Sequence, residues 1–485
     1  MKEKIVPLCL ELRKEQEKRL GVDRLHYYDE ELIFPEGNAV PEGTTEELVA
    51  KAQKMYHELS KETGEFFDFM VEHELFDLET KPGKQTGGYC TFLNTFKAPF
   101  IFSNFNGTSA DVDVLTHEAG HAFEAYTAAK QIPFMDMVFP TSEVAEIHSM
   151  TMEHFAYPWM NAFFGEKADD YRYAHLMSAL EVIPYMVCVD EFQHKVFENI
   201  GKRFTFGGEA IWHQLELTYM PWRNYDGHKF LEEGGFWMQK QHIFVNPFYY
   251  IDYALAQICA FQFFERSKKE PEKAWGDYYR LCQAGGSKGY FALLELAGLK
   301  NPFVDGTVEE VVAGLKPYLK RKVKYTIRPV KEEDLKKVAE VEALCFPVAE
   351  AAGYEDFMER YKTCKNSFFV AETEDGEIAG FCNGCCADTD YLADALYHDA
   401  TLHNPDGDYQ MIFGLDVNPK FQKQGIGEAL MRHMVKSAGE RDKKAVVLTC
   451  KDHMIPFYKR IGYEYIELSD STHGGAKWHK MMYRF

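Results

Sequence analysis

The sequence predicts a multidomain protein with a mainly α-helical front part and an α/β back part. The chain has 485 residues, which at about 100–200 residues per domain suggests two or three domains. Residues 1–320 hold long segments with apolar positions at i, i+3, i+4 and i+7, the pattern of amphipathic helices. After a basic stretch, "LKPYLKRKVKY", strand-like and helix-like segments alternate to the end of the chain. We therefore predict two domains, 1–321 and 322–485.

Composition and charge narrow the classes of protein that this chain belongs to. Hydrophobic residues make up 46% and charged residues 27%, which is ordinary for a soluble protein. The net charge of -22 argues against a nucleic acid or an anionic membrane as partner. Since no run of 18 apolar residues and no signal-peptide core occur, we expect no membrane span. We expect a cytoplasmic protein.

The number and spacing of the cysteines indicate the redox compartment of the protein and whether cysteines bind a metal. Eleven cysteines are scattered along the chain. Cys382, Cys385 and Cys386 form a CxxC that could hold zinc, but no second pair or histidine follows at the spacing of a zinc finger. The pattern therefore favours reduced thiols in a cytoplasmic protein.

The segment "DVLTHEAGHAFEAY" at 113–126 carries the first chemical motif. On a helix, His117 and His121 project from one face and Glu118 lies beside them. Two imidazoles suit zinc, and a neighbouring carboxylate can take a proton from a zinc-activated water. Ser109 is the expected N-cap of this helix. The motif predicts a zinc peptidase site, but it also arises by chance and needs a third ligand.

The downstream segment "PTSEVAEIHSMTMEHFAY" offers that ligand. Ser142 is the expected cap of a second helix, on which Glu146 and Glu153 lie two turns apart on one face. Glu146 follows His121 by a distance that suits a loop and an antiparallel return helix. Other candidate ligands stay open: Glu143, His148 and His154.

Several segments together resemble the thimet oligopeptidase and oligoendopeptidase F family of zincin-type metallopeptidases. These are "LGVDRLHYYD", "FSNFNGTSADVDVLTHEAGHAF", "AEIHSMTMEHF" and "HIFVNPFYYIDYALAQ", and the resemblance covers roughly residues 1–320. It implies an endopeptidase for short peptides. It also implies that His117, His121 and Glu146 bind Zn²⁺. Glu118 is then the general base, and Glu153 orients a ligand.

The segment "QHIFVNPFYYIDYALAQ" supplies the other half of the implied site. Amide hydrolysis places negative charge on the carbonyl oxygen, and donors aimed at it stabilise that charge. By position in the family, His242, Tyr250 and Tyr253 are these donors. Tyr249 is the alternative to Tyr250, because the spacing from His242 can differ by one residue.

Family members carry a long helical region before the segment that opens this chain, and that region forms one wall of the substrate channel. Here "MKEKIVPLCLELRKEQ" begins at residue 1. Three hypotheses follow. A separately encoded partner supplies this N-terminal lid, the sequence is a fragment, or the protein is an eroded peptidase with an open groove.

Residues 410–440, "QMIFGLDVNPKFQKQGIGEALMRHMVKSAGE", carry the second motif. A strand leads through a glycine-containing loop into a helix, where backbone N–H groups and the helix dipole favour a pyrophosphate. The loop and the later "AVVLTCKDHMIPFYKRIGYE" resemble the GNAT acetyltransferases, close to bacterial arylalkylamine N-acetyltransferase-like proteins. The resemblance implies that Tyr458 protonates the departing thiolate. It also implies an acetyl-CoA site formed by Leu415, Val417, Gln422, Gln424, Gly425, Ile426 and Gly427.

The group that deprotonates the acceptor amine is not evident. The related animal enzymes have two histidines where this chain has Met411 and Phe413. His398, His403 and Asp416 remain candidates. We expect a small amine or a peptide N-terminus as acceptor.

The sequence therefore predicts a zinc-dependent endopeptidase fused to an acetyl-CoA-dependent N-acetyltransferase. The alternative is that the front part is an inactive, zinc-stabilised module that binds peptides or serves as structure. Only the acetyltransferase would then be active.

Overall fold

The computed structural model describes residues 1–198, 208–320, 323–347, 351–374, 376–391, 402–422, 424–471 and 477–485. The chain divides into two compact units, Met1–Arg321 (unit 1) and Lys322–Phe485 (unit 2). In the described ranges, no helix is both long and apolar enough to cross a membrane.

Unit 1 is helical with a small sheet. Its helices are α1 (Ile5–Leu20), α2 (Thr45–Leu59), α3 (Lys61–Glu72), α4 (Ala110–Ala128), α5 (Ser142–Phe155), α6 (Met160–Phe164), α7 (Ala168–Glu198), α8 (Gly208–Tyr219), α9 (Lys229–Glu232), α10 (Gln241–Val245), α11 (Tyr250–Lys269), α12 (Pro271–Ala284), α13 (Tyr290–Leu296) and α14 (Thr307–Leu315). Its strands are β1 (Phe76–Glu79), β2 (Tyr89–Leu93) and β3 (Ala98–Phe105). Strand β3 is central, parallel to β1 and antiparallel to β2. The two strands predicted in this region are β2 and β3, and β1 was not predicted.

The centre of unit 1 is the packing of α4 and α11 against α5. Fully buried side chains join these helices to α3 and α12, among them Phe66, Phe123, Ile147, Phe263 and Tyr278. At Gly120, an added Cβ would lie 2.6 Å from Ser149 Cα and 2.8 Å from the His148 carbonyl oxygen. Only glycine permits this approach, so the backbones of α4 and α5 touch at the level of the HExxH motif.

The starts of α4 and α5 differ from the expectation. Ser109 precedes α4 but makes no side-chain cap hydrogen bond. Asp111 instead accepts a hydrogen bond of 2.7 Å from the backbone N–H of Gly107, which ties the loop to the first turn. Ser142 is already the first residue of α5, and Thr141 holds the cap position without a side-chain bond. Ser109 therefore holds the predicted cap position of α4 without a side-chain bond, whereas the cap prediction for Ser142 was wrong by one residue.

Unit 2 is a layered α/β domain. Its helices are α15 (Leu335–Cys345), α16 (Tyr354–Cys364), α17 (Ile426–Glu440) and α18 (Ile455–Ile461). Its strands are β4 (Tyr325–Pro329), β5 (Phe368–Thr373), β6 (Ile378–Ala387), β7 (Tyr409–Val417), β8 (Ala445–Cys450), β9 (Glu464–Leu468) and β10 (His479–Arg484). In the described residues they form one mixed sheet of order β4-β5-β6-β7-β8-β10-β9. Apolar clusters place α17 on one face and α15 with α16 on the other.

The parallel pair β7 and β8 separates along its length. The two strands pair only from Tyr409 with Ala445 to Met411 with Val447. Beyond Met411, β7 continues to Val417 without a described partner on that side. The carboxyl end of β7 therefore presents unpaired backbone groups to the start of α17.

The CxxC cysteines lie on β6, which is buried along its whole length. Cys382 packs in the cluster that contains α17, whereas Cys385 belongs to a different buried cluster. In the described part of the chain, no candidate metal cluster includes a cysteine.

Burial predicts which side chains stabilise unit 2. Leu430 of α17 is 0% exposed, whereas Leu344 of α15 is 62% exposed. We expect Leu430→Ala to lower the free energy of unfolding by about 2–5 kcal/mol, because it removes buried apolar atoms and leaves a cavity. Leu344→Ala is the matched control and should change it by less than about 0.5 kcal/mol. Urea unfolding of both variants checks this, and equal losses would contradict the packing described.

Candidate active sites

Three side chains of unit 1 converge on one point. The Nε2 atoms of His117 and His121 lie 3.3 Å and 3.5 Å from Glu146 Oε2. One ligand atom from each lies within 4.8 Å of the others. The histidines stand one turn apart on α4, and the contact of α4 with α5 brings Glu146 opposite them. Two imidazoles and a carboxylate are a ligand set that zinc takes in catalytic sites.

A second layer of polar groups orients His117. Its Nδ1 lies 2.5 Å from Glu153 Oε1, so its Nε2 faces the Glu146 carboxylate. The other oxygen of Glu153 lies 2.9 Å from Nε2 of His175. Tyr157 OH lies 2.7 Å from Nδ1 of His175. Burial alone would raise the pKa of Glu153, but hydrogen bonds from His117 and His175 lower it to about 2. This carboxylate therefore stays ionised and holds both rings.

The charges of the cluster depend on each other. Burial alone would lower the pKa of His117, but hydrogen bonds to Glu146 and Glu153 raise it well above its usual value. Burial alone would raise the pKa of Glu146, but the positive charge of His121 and hydrogen bonds from both histidines lower it well below its usual value. Glu146 and Glu153 are therefore stabilised as carboxylates by a positive charge between them, which protons on the histidines or a bound cation can supply.

The rival ligands do not join this cluster. His148 is fully buried, and burial followed by the charge of His121 lowers its pKa to about 3. His154 packs against Phe264 and hydrogen-bonds Gln257, away from the three ligands. The hydroxyl of Thr141 donates to Glu143 at the start of α5.

The aromatic segment predicted to serve catalysis lies beside Glu146. The Tyr249 hydroxyl donates a hydrogen bond of 2.7 Å to Glu146 Oε1. The Tyr253 ring is 4.9 Å from the Tyr249 ring, and the His242 ring stacks on Tyr249 at 5.9 Å. Tyr250 contacts His242 and Tyr253 through its ring. Of the two adjacent tyrosines, Tyr249 is therefore the one that reaches a ligand.

The phenols of this segment are held as hydrogen-bond donors. Burial and then the negative charge of Glu146 raise the pKa of both Tyr249 and Tyr253 above the ordinary value. Neither phenol ionises near neutral pH, so each keeps its proton for donation.

Glu118 points toward the sheet. It is buried, and a Cβ built on Gly88 would lie 3.7 Å from its Oε1. Gly88 directly precedes β2, and within the described residues β2 is an edge strand that pairs with β3. An extended chain beside that edge would therefore pass close to the Glu118 carboxylate.

Unit 2 contains a cavity of about 910 Å³ at the point where β7 and β8 separate. Most of the predicted cofactor residues line it: Leu415, Val417, Gln422, Gly425, Ile426, Gly427 and Tyr458. Gly425 lines the cavity and has φ 84, a left-handed conformation that glycine adopts readily, directly before the start of α17.

Two glutamines of this loop have different roles. Gln422 donates from Nε2 to the carbonyl oxygen of Val417 at 3.0 Å, which caps the end of β7. Gln424 does not line the cavity. Its side chain turns back and accepts a hydrogen bond of 2.7 Å from the backbone N–H of Val323. The assignment of Gln424 to the cofactor-binding loop stays a prediction, and this side chain lies outside the cavity lining.

The candidate bases for the acceptor amine differ in whether they line the unit 2 cavity. Nδ1 of His403 accepts a hydrogen bond from the backbone N–H of Cys386 at 3.0 Å, and this histidine is not among the cavity-lining residues. His398 falls outside the described residues. Phe413 and Asp416 line the cavity, while Met411 is buried in the core.

Sequence patterns of known families agree with these two sites. The pattern of Peptidase family M3 matches residues 9–312. The chain belongs to Peptidase family M3. The pattern of the acetyltransferase (GNAT) family matches residues 335–463, so the helical M3 part is followed by a GNAT α/β domain. The predicted fold class is confirmed for both parts.

Relatives of the M3 part include an oligoendopeptidase F homolog of Borreliella burgdorferi, 23% identical over 313 residues, which are 62% of this chain and 52% of that protein. A solved structure of PZ peptidase A with an inhibitor is similar, with 51% identity and a TM-score of 0.63 over 66% of this chain and 56% of that one. The GNAT part is 27% identical over 112 residues to serotonin N-acetyltransferase of Mesocricetus auratus, covering 23% of this chain and 53% of that protein. The chain spans about half the length of these relatives.

Sequence reasoning missed Tyr157 and His175, which support Glu153, and it ranked Tyr250 above Tyr249. No spacing rule points to His175, because it lies on α7, far from the motif in sequence. Tyr249 was named only as the alternative to Tyr250, and its contact with Glu146 was not predicted.

The second layer predicts metal affinity. Glu153→Gln removes the charge that holds His117, so we expect zinc affinity to fall by about 10–100-fold. Glu143→Gln, on the same helix but outside the cluster, is the control and should bind as the unmodified protein does. Competition for zinc with a fluorescent chelator measures both. A loss with Glu143→Gln, or none with Glu153→Gln, would contradict the arrangement.

Proposed function

We propose that unit 1 is a zinc-dependent endopeptidase that hydrolyses short peptides. The observation that carries this proposal is the convergence of His117, His121 and Glu146 with Glu118 beside them on α4. The donor set fits zinc because it offers two imidazole nitrogens and a carboxylate around one point, and Glu153 fixes the ring of His117. We propose those three side chains as the ligands.

The residues of the chain divide the remaining work. Zinc at this site would act as a Lewis acid and make water a better nucleophile. Glu118 takes the proton of the attacking water and passes it to the departing amine nitrogen. Tyr253 donates toward the carbonyl oxygen as negative charge develops there. Its ring packs against Tyr249, which stacks on His242. Tyr250 lies in the same cluster and is the further candidate donor.

The substrate class follows from the edge strand β2. A peptide in extended conformation can add to this edge through backbone hydrogen bonds, which bind many sequences alike. Its scissile bond would then pass Gly88 and reach Glu118. This supports short, extended peptides as substrates.

Glu118→Gln should separate chemistry from binding. We expect the variant to keep zinc, because Glu118 is not a ligand, and to lose at least about 100-fold in kcat for a quenched fluorescent peptide. Removal of zinc by a chelator should abolish cleavage, and added zinc should restore it.

Glu143→Gln again serves as the control, with unchanged cleavage expected. If cleavage survives both Glu118→Gln and metal removal, the peptidase proposal fails. If the unmodified protein binds zinc but cleaves no peptide, unit 1 is instead the inactive, zinc-stabilised module.

We propose that unit 2 binds acetyl-CoA in the cavity between β7 and β8 and transfers the acetyl group to an amine. The cavity has the size of a cofactor site, and the exposed end of β7 faces the N-terminus of α17. Gly425 and Gly427 leave the loop N–H groups open to a pyrophosphate. Tyr458 lines the cavity and is suited to protonate the thiolate.

Acetyl-CoA should raise the melting temperature of unit 2. A ligand at 100 times its Kd stabilises the state it binds by about 2.7 kcal/mol. Gly425→Ala should reduce this shift, because its new methyl group and strained φ disturb the loop. Gly376→Ala is the matched control. Both glycines have positive φ and open space for a Cβ, but only Gly425 lines the cavity. Differential scanning calorimetry measures all three proteins. No shift at saturating acetyl-CoA in the unmodified protein would overturn the assignment.

We also propose a cytoplasmic location. All eleven cysteines are free, and most of them are buried. Free thiols persist where glutathione and thioredoxin keep them reduced.

A further inference from the structure

A buried pair of carboxyl groups lies in the wall of the unit 2 cavity. Asp416 of β7 is 1% exposed and Glu342 of α15 is 6% exposed, and both line the cavity. A Cβ built on Gly414 would lie 3.2 Å from Asp416 Oδ2 and 3.9 Å from Glu342 Oε2. The two carboxyls therefore converge over the glycine that precedes the cofactor-binding end of β7.

The faces of β7 separate this pair from the cofactor loop. Leu415 and Val417 turn toward the cluster packed on α17. Asp416 alternates with them and pairs with Phe381, which belongs to the cluster packed on α15 and α16. The pair thus lies on the opposite face of the strand from α17, where an acceptor can approach the acetyl group from the other side.

The hydrogen bonding of the pair is incomplete. Glu342 Oε1 accepts from the backbone N–H of Ala352 at 3.0 Å. Among the described groups, Glu342 Oε2 and both oxygens of Asp416 accept no hydrogen bond from an N–H group or an alcohol hydroxyl. They hydrogen-bond to each other and to the Cys345 thiol. Two carboxyls that must share a proton and a thiol are costly to ionise when buried, so N–H donors entering this wall would stabilise the ionised pair.

The surroundings contribute one nearby cation. Arg360 of α16 donates to Asn383 of β6 at 3.2 Å and acts on the pair through its charge. The other titratable groups that face the pair are Asp356 of α16 and Cys345 of α15. Arg360 can balance one ionised carboxyl, so ionisation of both carboxyls leaves one negative charge for an entering cation.

We propose that Glu342 and Asp416 form the acceptor subsite of unit 2, where they bind a protonated primary amine and Asp416 accepts its proton. This rests on the acetyl transfer proposed above. An ammonium group brings three N–H donors and one positive charge, which are what the pair lacks.

The base strength of Asp416 suits this role. Burial and then the charge of Glu342 raise its pKa to about 9. This value lies closer to the pKa of an alkylammonium, about 10.4, and of a peptide α-ammonium, about 8, than the pKa of an ordinary aspartate does. An ordinary aspartate, with a pKa of about 3.9, is far too weak a base. The entering cation ionises the pair because an opposite charge favours the carboxylate.

The proton and electron movements balance. Asp416 takes one proton from the ammonium, and the freed nitrogen lone pair forms the C–N bond to the acetyl carbon. The C–S bond breaks with its electrons on sulfur, and Tyr458 gives that sulfur a proton. The second nitrogen proton restores Tyr458, and the proton on Asp416 leaves to solvent. The products are an N-acetyl amine, coenzyme A and one released proton.

One histidine competes for the role of base. Of the described residues that line the cavity, His453 is the histidine, and it is exposed near the start of α18. A base at His453 predicts that His453→Gln, and not Asp416→Asn, abolishes the rise of activity with pH. A base at Asp416 predicts that activity still rises between pH 7 and pH 9.

The test uses the full chain with Asp416→Asn, Glu342→Gln and Glu340→Gln. Glu340 lies on the same helix as Glu342 but is exposed, and so provides the matched control. Two acceptors, n-butylamine and a tripeptide with a free α-amine, distinguish small amines from peptide N-termini. We measure kcat/KM for each from pH 6 to pH 10, together with acetyl-CoA binding by calorimetry.

We expect Asp416→Asn to lower kcat/KM by at least about 100-fold, as loss of a general base does, and to abolish the rise above pH 7. Glu342→Gln should raise KM for the amine more than it lowers kcat. Acetyl-CoA binding should be unchanged in all variants, which shows that they fold.

The proposal would be overturned if Asp416→Asn left kcat/KM unchanged. It would also be overturned if His453→Gln, rather than Asp416→Asn, abolished the pH dependence of kcat/KM. If neither the unmodified protein nor any variant binds acetyl-CoA, the proposed acetyltransferase function itself is wrong, which is a different result. The acceptor whose kcat/KM falls more in Asp416→Asn shows whether the subsite takes small amines or peptide N-termini.

Discussion

The contact between α4 and α5 at Gly120 is the constraint on which unit 1 depends. The two backbones meet where a Cβ would clash with Ser149 and His148. That approach places Glu146 against His117 and His121, and Glu153 against the far side of His117. Because these groups are buried, their charges are strong and must be balanced locally. The core around the helices therefore serves to hold acidic and imidazole groups at contact distance.

Unit 2 solves a different problem with a sheet. Two parallel strands, β7 and β8, pair for three residues and then part, which opens a cavity without unfolding either strand. The backbone groups released on β7 and at the start of α17 suit a polar, anionic cofactor. The acidic pair sits on the other face of the same strand. One strand thus separates the proposed site for an anionic cofactor from the proposed site for a cationic acceptor.

Much of both sites could be predicted from sequence, because local spacing determines which side chains share a helix face. The HExxH histidines and the glycine loop before α17 are local patterns of this kind, whereas Glu146 was implied by the family resemblance. Tyr249 was left open against Tyr250, since one residue of shift along a turn cannot be resolved from spacing. Ser109 holds the predicted cap position of α4, but Asp111 bonds the preceding loop in its place, and the cap of α5 is Thr141, one residue before the predicted Ser142.

The sequence by itself determined the helical and α/β division, the motif on α4 and the loop between β7 and α17, since each depends on periodicity within a few turns. Only the tertiary structure decided that His175 supports Glu153 and that Glu342 meets Asp416. Those partners lie on separate elements, and their distances depend on how whole helices pack. Packing depends on the shapes of many side chains at once, which no local pattern records.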